Sequence, residues 1–188
     1  MNSFYTEAEL FSLGLKRVGG NVKISRFASL YSNDEISIGN NVRIDDFCIL
    51  SGRITLGNNI HIAAGCYLFA SDAGIDIDDF STTSSRVVIY ALSDDYSGTT
   101  MTNPTIPEEF KHVQKEKVII HRHVIIGTST VILPGVTIGE GCAIGAMSLV
   151  TKSLPQWSIC YGIPAKPMKK RKQDLLLLEK SFHEKYSN

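Results

Sequence analysis

The chain has 188 residues, 43% of them hydrophobic, with 19 basic and 19 acidic side chains. That is the length of one domain with an ordinary core, and zero net charge leaves no electrostatic footprint for nucleic acid. No apolar run reaches a membrane span, and the opening MNSFYTEAEL lacks the basic and apolar segments of a secretory signal, so a cytoplasmic location is expected.

Residues 1–17 precede any repeat. Thr6 with Glu9 three positions later has the pattern of a capping box. Leu10, Phe11, Leu13 and Leu15 then give a mixed apolar helix that could cover the open end of a repeat array.

A period of six starts at Val18. Val18, Ile24 and Leu30 open it. After a slip of two near Ile36 it continues at Ile38, Ile44, Leu50, Leu56, Ile62 and Leu68. After a second slip around Ala73–Ile75 it resumes at Ile77, Thr83 and Ile89. The most regular stretch is Ile120, Ile126, Ile132, Ile138, Ile144 and Val150. The next position is often Gly (Gly127, Gly139, Gly145), and the fifth is small or β-branched. Six matches neither the helical nor the alternating-strand period. It predicts an all-β solenoid in which each hexad is one short side of a coil. A β-sandwich would place turn signals every 8–12 residues instead.

Residues 94–117, DDYSGTTMTNPTIPEEFKHVQKEK, abandon the period and must leave the coil and return. A long loop in a compact repeat usually carries function. From Trp157 the hexads fade into SICYGIPAKPMKKRKQ. The basic run KPMKKRK reads on its own as a solvated helix start, and Leu175–Leu178, Phe182 and Tyr186 as a terminal helix packing partly on the solenoid and partly on a neighbouring subunit. The expected organisation is a helical cap over 1–17, a solenoid over 18–165 with the protruding loop, and a helix over 166–188.

Cys48, Cys66, Cys142 and Cys160 all occupy the fifth slot, where a small apolar group is needed, and no C-x-x-C spacing suggests zinc. Among the histidines, His61 fits an ordinary repeat position and His183 a helix surface. His121, His123 and His112 remain possible bases. A zinc enzyme on a solenoid would need three converging histidines, and His121 and His123 have no obvious third, so no metal is expected.

Together, the hexads, the loop at 94–117 and the ending VTKSLPQWSICYGIPAKPMKK resemble the hexapeptide-repeat acyltransferases, within them the bacterial galactoside and O-antigen acetyltransferases. The resemblance covers nearly the whole chain. It implies a left-handed parallel β-helix and a homotrimer with active sites between subunits. It implies acetyl-CoA as co-substrate, a sugar acceptor such as a nucleotide-linked amino sugar or a surface-polysaccharide precursor, and direct transfer in a ternary complex. Matched by motif, the coenzyme site takes Gly127 and Ser129, Gly145 and Ala146, Thr151 and Lys152, Pro164, Ala165 and Lys166, with Lys169 as a further phosphate partner.

The family commonly places a histidine base at the start of the loop. Here Asp94 and Asp95 stand in its place, with Tyr96 and Asn103 as candidate acceptor-binding groups. Two adjacent carboxylates could raise one pKa, or an aspartate could hold an ammonium and relay its proton. The second choice favours an amine acceptor. The alternatives are an O-acetyltransferase of plain glycosides with a histidine base, and a non-catalytic scaffold.

Overall fold

The computed structural model describes residues 3–186; Met1, Asn2, Ser187 and Asn188, the ends of the expected cap and C-terminal segment, lie outside the described residues. It is a parallel β-solenoid of triangular plan with two helices, α1 (Glu7–Ser12) and α2 (Leu175–Tyr186).

The six-residue period becomes three faces. On the first, Val18 stacks on Ile38, Ile38 on Leu56, Leu56 on Ile77, Ile77 on Ile120 and Ile120 on Ile138. On the second, seven rungs align Ile24, Ile44, Ile62, Thr83, Ile126, Ile144 and Cys160. On the third, Leu30, Leu50, Leu68, Ile89, Ile132 and Val150 align. Every aliphatic residue of the repeat therefore stacks on its own kind one coil away, and most are fully buried. Each buried Ile or Leu contributes roughly 1.5–3 kcal/mol of transfer free energy.

Paired residues also record the length of each coil. Lys23 pairs Arg43, 20 residues on, because the short 3-10 turn Asn33–Glu35 adds two. Arg43 pairs His61, 18 on, which is three hexads. His61 pairs Thr82, 21 on, because the segment around Ser71–Gly74 adds three. Thr82 pairs Ile125, 43 on, because the long loop lies between them. Both slips and the loop lie at the corner that joins the third face back to the first.

The corners need left-handed backbone. Asn21, Asn41, Asn59, Phe80, His123, Gly141 and Trp157 form one such column, all with φ between 52° and 64°. Asn tolerates this conformation best of the non-glycine residues, and Asn21, Asn41 and Asn59 also link through their side chains.

At the N-terminal end α1 has the expected capping box. Glu9 N donates to Thr6 Oγ1, and Thr6 N donates to Glu9 Oε2 at 2.8 Å. Hydrogen bonding to Arg26 holds the Glu9 carboxyl down at about 2. Leu10 is buried, but Phe11 is 91% exposed, so the cap uses one side of the helix and Phe11 is not part of the cover.

The C-terminal segment differs from expectation. Lys166 to Lys170, most of the basic run, lie in a strand, Ala165–Lys170, antiparallel to Ser158–Gly162. Gly162, at φ 111°, turns the chain back on itself there, and the helix begins only at Leu175.

Helix α2 then covers the corner between the first and second faces. Phe80, Thr82, Ile125, Leu175, Leu178 and Phe182 line a groove of about 390 Å³ between them. Glu179 is its polar anchor, paired with Arg122, with His123 Nε2 at 3.0 Å and with His183 at 3.4 Å. Burial alone would raise the Glu179 pKa, but its pairing with His123 and Arg122 outweighs this and holds the carboxyl below its ordinary value of 4.5. A lowered folded pKa means the anchor is at full strength above pH 4.5 and is lost as pH falls through the lowered value. Acidification should therefore release α2 before the solenoid melts. The lone Trp157, 6.4 Å from His123, reports this by fluorescence, while circular dichroism follows the strands. Simultaneous loss of both signals would contradict it.

Candidate active site

The loop departs and returns at the third corner. Leu92–Ser93 and Gln114–Lys115 pair antiparallel at its base. Lys115 and Lys117 pin the return leg to Asp72 (2.8 Å) and Asp76 (2.5 Å).

The two neighbouring aspartates do different jobs. Asp95 receives hydrogen bonds from Ser97 N (2.7 Å), Thr99 Oγ1 (2.9 Å), and Thr100 N (2.9 Å) and Oγ1 (3.0 Å). These bonds, led by Ser97, depress its pKa strongly. The expectation that mutual repulsion raises a carboxyl pKa therefore fails at Asp95: it folds the loop and is a poor base. Asp94, one residue earlier, is exposed, and its carboxylate takes no hydrogen bond among the described residues.

Tyr96 is 94% exposed at the tip of this turn. Asn103 Oδ1 accepts from Thr105 N (2.9 Å) and Oγ1 (2.6 Å), which makes it a turn residue at φ 79°.

Two of the three histidine alternatives lie away from the loop. His121 and His123 lie beyond the far end of the strand Val118–Ile120 that follows it. His121 Nδ1 is 3.0 Å from Asp78 Oδ2. His123 is only 8% exposed, stacked on Phe80 and bonded to Glu179 under α2. A buried, partnered ring at the opposite corner cannot serve a site at the loop. His61 pairs with Asp45 at 2.8 Å, and His112 is an exposed loop residue.

The residues matched to the coenzyme fall into two groups. Gly127, Ser129, Gly145 and Ala146 stack at the second corner, between the second and third faces. A side chain at Gly127 would meet the backbone of Ala146 and Gly145, and one at Gly145 would lie 2.9 Å from Tyr161 Cβ. The hairpin Ser158–Lys170 continues this corner with Pro164, Ala165 and Lys166, and Lys169 lies further along its second strand. Thr151 and Lys152, by contrast, follow Leu149–Val150 at the opposite edge of the third face, on the loop's corner. Within one chain the two groups are separated by the width of that face.

All four cysteines are buried and free, and burial pushes the Cys142 thiol up to about 12. Cys142 is thereby a neutral buried thiol and no nucleophile. Among the described residues no group of three or more metal-ligating side chains forms, and no helix is long and apolar enough to cross a membrane.

The bacterial transferase hexapeptide (six repeats) family matches residues 35–70 and 117–152. The chain is 44% identical over 183 residues to the dTDP-4-amino-4,6-dideoxy-D-glucose acyltransferase of Escherichia coli, covering 96% of this chain and 95% of that one. It belongs to the hexapeptide-repeat acyltransferases. As a member of that family it is an acyltransferase, which removes the scaffold alternative. The solved structure of AntD, an N-acyltransferase from Bacillus cereus, in complex with dTDP and 3-hydroxybutyryl-CoA, superposes with TM-score 0.97 at 49% identity, over 100% of both chains. The galactoside O-acetyltransferase of Lactococcus lactis is 34% identical over 118 residues, 62% of this chain and 54% of that enzyme.

The sequence alone assigns Ser84 no role. It stands at the entry to the second corner, half-buried, and its hydroxyl makes no hydrogen bond among the described residues. The available signal was composition: this corner reads Ser84-Ser85-Arg86 where the preceding coil has Ala63-Ala64-Gly65.

Proposed function

We propose that this chain transfers an acyl group from acyl-coenzyme A to the amine of a dTDP-linked 4-amino-4,6-dideoxy sugar. The observation that carries this reading is the whole-chain match to AntD, which has been crystallised with dTDP-4-amino-4,6-dideoxyglucose and coenzyme A. AntD has also been studied as D94A, D94N, S84A, S84C and S84T variants, and this chain carries Asp94 and Ser84 under the same numbers.

The working unit is a homotrimer. Beyond Ser29 and Ser51 at its N-terminal rungs, the outward side of the third face is apolar: Ile49, Tyr67, Phe69, Val88, Tyr90, Val131 and Leu149, with Phe69 and Tyr90 stacked at 5.3 Å. A contiguous apolar patch of this kind is the signature of an interface. Three copies packed by it around an axis bring the second corner of each against the third corner of the next, since those corners are the edges of the face. That joins Gly127, Ser129, Gly145, Ala146 and the hairpin of one subunit to Thr151, Lys152 and the loop of its neighbour. Ser84 and Asp94 meet across the same seam.

The chemistry follows. Lys152, Lys166 and Lys169 meet the coenzyme phosphates, and the small corner residues let the pantetheine arm lie against backbone. Asp94 holds the substrate ammonium and accepts its proton. The nitrogen lone pair then attacks the thioester carbon, the C–S bond breaks, and the thiolate leaves as the amide forms; the amine's second proton balances the thiol. The Ser84 hydroxyl faces the reacting centre as a hydrogen-bond donor.

The test is release of free thiol from acyl-CoA against a dTDP-4-amino sugar and its 4-hydroxy counterpart. Turnover confined to the amine is expected. Turnover with the hydroxyl sugar would require a stronger base than Asp94 and would overturn the relay.

A further inference from the structure

The coenzyme residues occupy the C-terminal rungs of the second corner, which leaves the N-terminal rungs of the same column to the other substrate. Phe27, Phe47, Gly65, Arg86, Ser129 and Met147 stack in that column. Phe47 N donates to Phe27 O, Gly65 N to Asp46 O, Arg86 N to Ala64 O, Ser129 N to Ser85 O and Met147 N to Thr128 O. Phe47, Gly65, Arg86, Ser129 and Met147 all have φ between 55° and 71°. Left-handed backbone at a bulky residue is costly, and a ring placed there in water has no folding role.

Phe27 and Phe47 are nevertheless 59% and 64% exposed, with ring centroids 5.9 Å apart. Arg86 is also exposed, and its stem lies over Gly65, where an added Cβ would be 3.5 Å from Arg86 Cγ. Apart from Arg17, it is the only arginine whose side chain makes no hydrogen bond, ion pair or ring contact among the described residues. The others are engaged by Glu9, Asp45, Glu35, Glu179 and the carbonyls of His123 and Gly141.

We infer that this column is the nucleotide subsite: Phe47, backed by Phe27, stacks on the nucleobase, and Arg86 binds the diphosphate. The inference rests on the reading of the acceptor as a nucleoside-diphosphate sugar. Rungs are about 4.8 Å apart, so Phe47 and Arg86 are separated by about 10 Å, comparable to the reach from a base across its ribose to a diphosphate. Arg86 shares its rung with Ser84, so a sugar carried beyond the diphosphate arrives at the reacting centre. The nearest carboxylate on the column, Asp46, is at the Phe47 rung, away from the phosphates, and accepts a 2.5 Å hydrogen bond from Ser25 Oγ. A flat π-face and a guanidinium fork are the groups that suit a base and a diphosphate.

The test is calorimetric titration of dTDP, dTMP and coenzyme A into the wild type, Arg86→Gln and Phe47→Ala, with the mass of each assembly measured in parallel. Both variants should bind dTDP at least about tenfold more weakly, with coenzyme A affinity and assembly mass unchanged. Arg86→Gln should also lose the preference for dTDP over dTMP. Affinity for dTDP within twofold of wild type in both variants would overturn the assignment. Loss of the assembly in Phe47→Ala would give the phenylalanines to the subunit interface and overturn the base half, with Arg86→Gln deciding the diphosphate half. A wild type that binds coenzyme A but no dTDP would overturn the acceptor reading itself.

Discussion

Replacing Asp94 with Asn should lower turnover on the amino sugar by about 10²–10⁴-fold, the range for losing one positioned proton acceptor. The amide keeps the shape of the carboxylate and loses its charge and its basicity. Asp94 is exposed and its carboxylate makes no hydrogen bond within the described residues, its main-chain carbonyl alone accepting from Ser93 Oγ, so exchanging the carboxylate for an amide should leave the loop intact. Coenzyme A should therefore raise the melting temperature of the variant by as much as that of the wild type. The pH profile gives a second readout. Without a residue to take the ammonium proton, the remaining activity should rise with pH as the free amine becomes abundant. Turnover unchanged at neutral pH would remove Asp94 from the chemistry. Asp95→Asn should behave differently, because that carboxylate organises Ser97, Thr99 and Thr100; its loss should disturb the loop as a whole.

The second large effect is expected at Gly127. A β-carbon there would sit against the Ala146 nitrogen and 2.7 Å from the Gly145 carbonyl carbon, and backbone of the next coil cannot move aside alone. Gly127→Val should cost about 1–3 kcal/mol or more from overpacking. It should lower the melting temperature by roughly 2–4 °C per kcal/mol in a domain of this size. It should also abolish the coenzyme-induced rise in melting temperature, since the distortion falls on the corner proposed to hold the donor. Gly139→Val is the control. Its β-carbon would strike the backbone at Gln156 on a different corner, so it should destabilise similarly yet keep the coenzyme response. Equal loss of that response in both variants would separate Gly127 from the donor site.

The core was legible because a solenoid demands the same slot from every hexad. Ile38, Ile44 and Leu50, read from spacing alone, are fully buried on three successive faces. Buried Cys48, Cys66, Cys142 and Cys160 follow the same logic in the fifth slot. The interruptions at 33–35, 71–74 and 94–117 were legible as breaks of register.

The site was less so. Asp94 and Asp95 look alike in sequence, and only the loop's hydrogen bonds show which one is committed to folding. His123 fits a catalytic pattern until α2 covers it, and that contact spans 56 residues to Glu179. The stretch after Tyr161 reads as a helix start because it is rich in lysine, but Gly162 turns it into a hairpin. Thr151 and Lys152 belong with Gly127 by motif and lie apart in the chain; under the proposed trimer their meeting depends on which face is shared between copies, which spacing within one chain does not encode.

The coil lengths of 20, 18 and 21 residues between paired second-face positions have a consequence for how such a chain can change. Each added segment is confined to one corner of one coil, and the rungs above and below keep their pairing. Insertions are therefore local edits. A corner can grow, shrink or exchange its residues without shifting the frame that holds its neighbours. The surface a corner presents can be rewritten one rung at a time, while the remaining rungs are inherited unchanged.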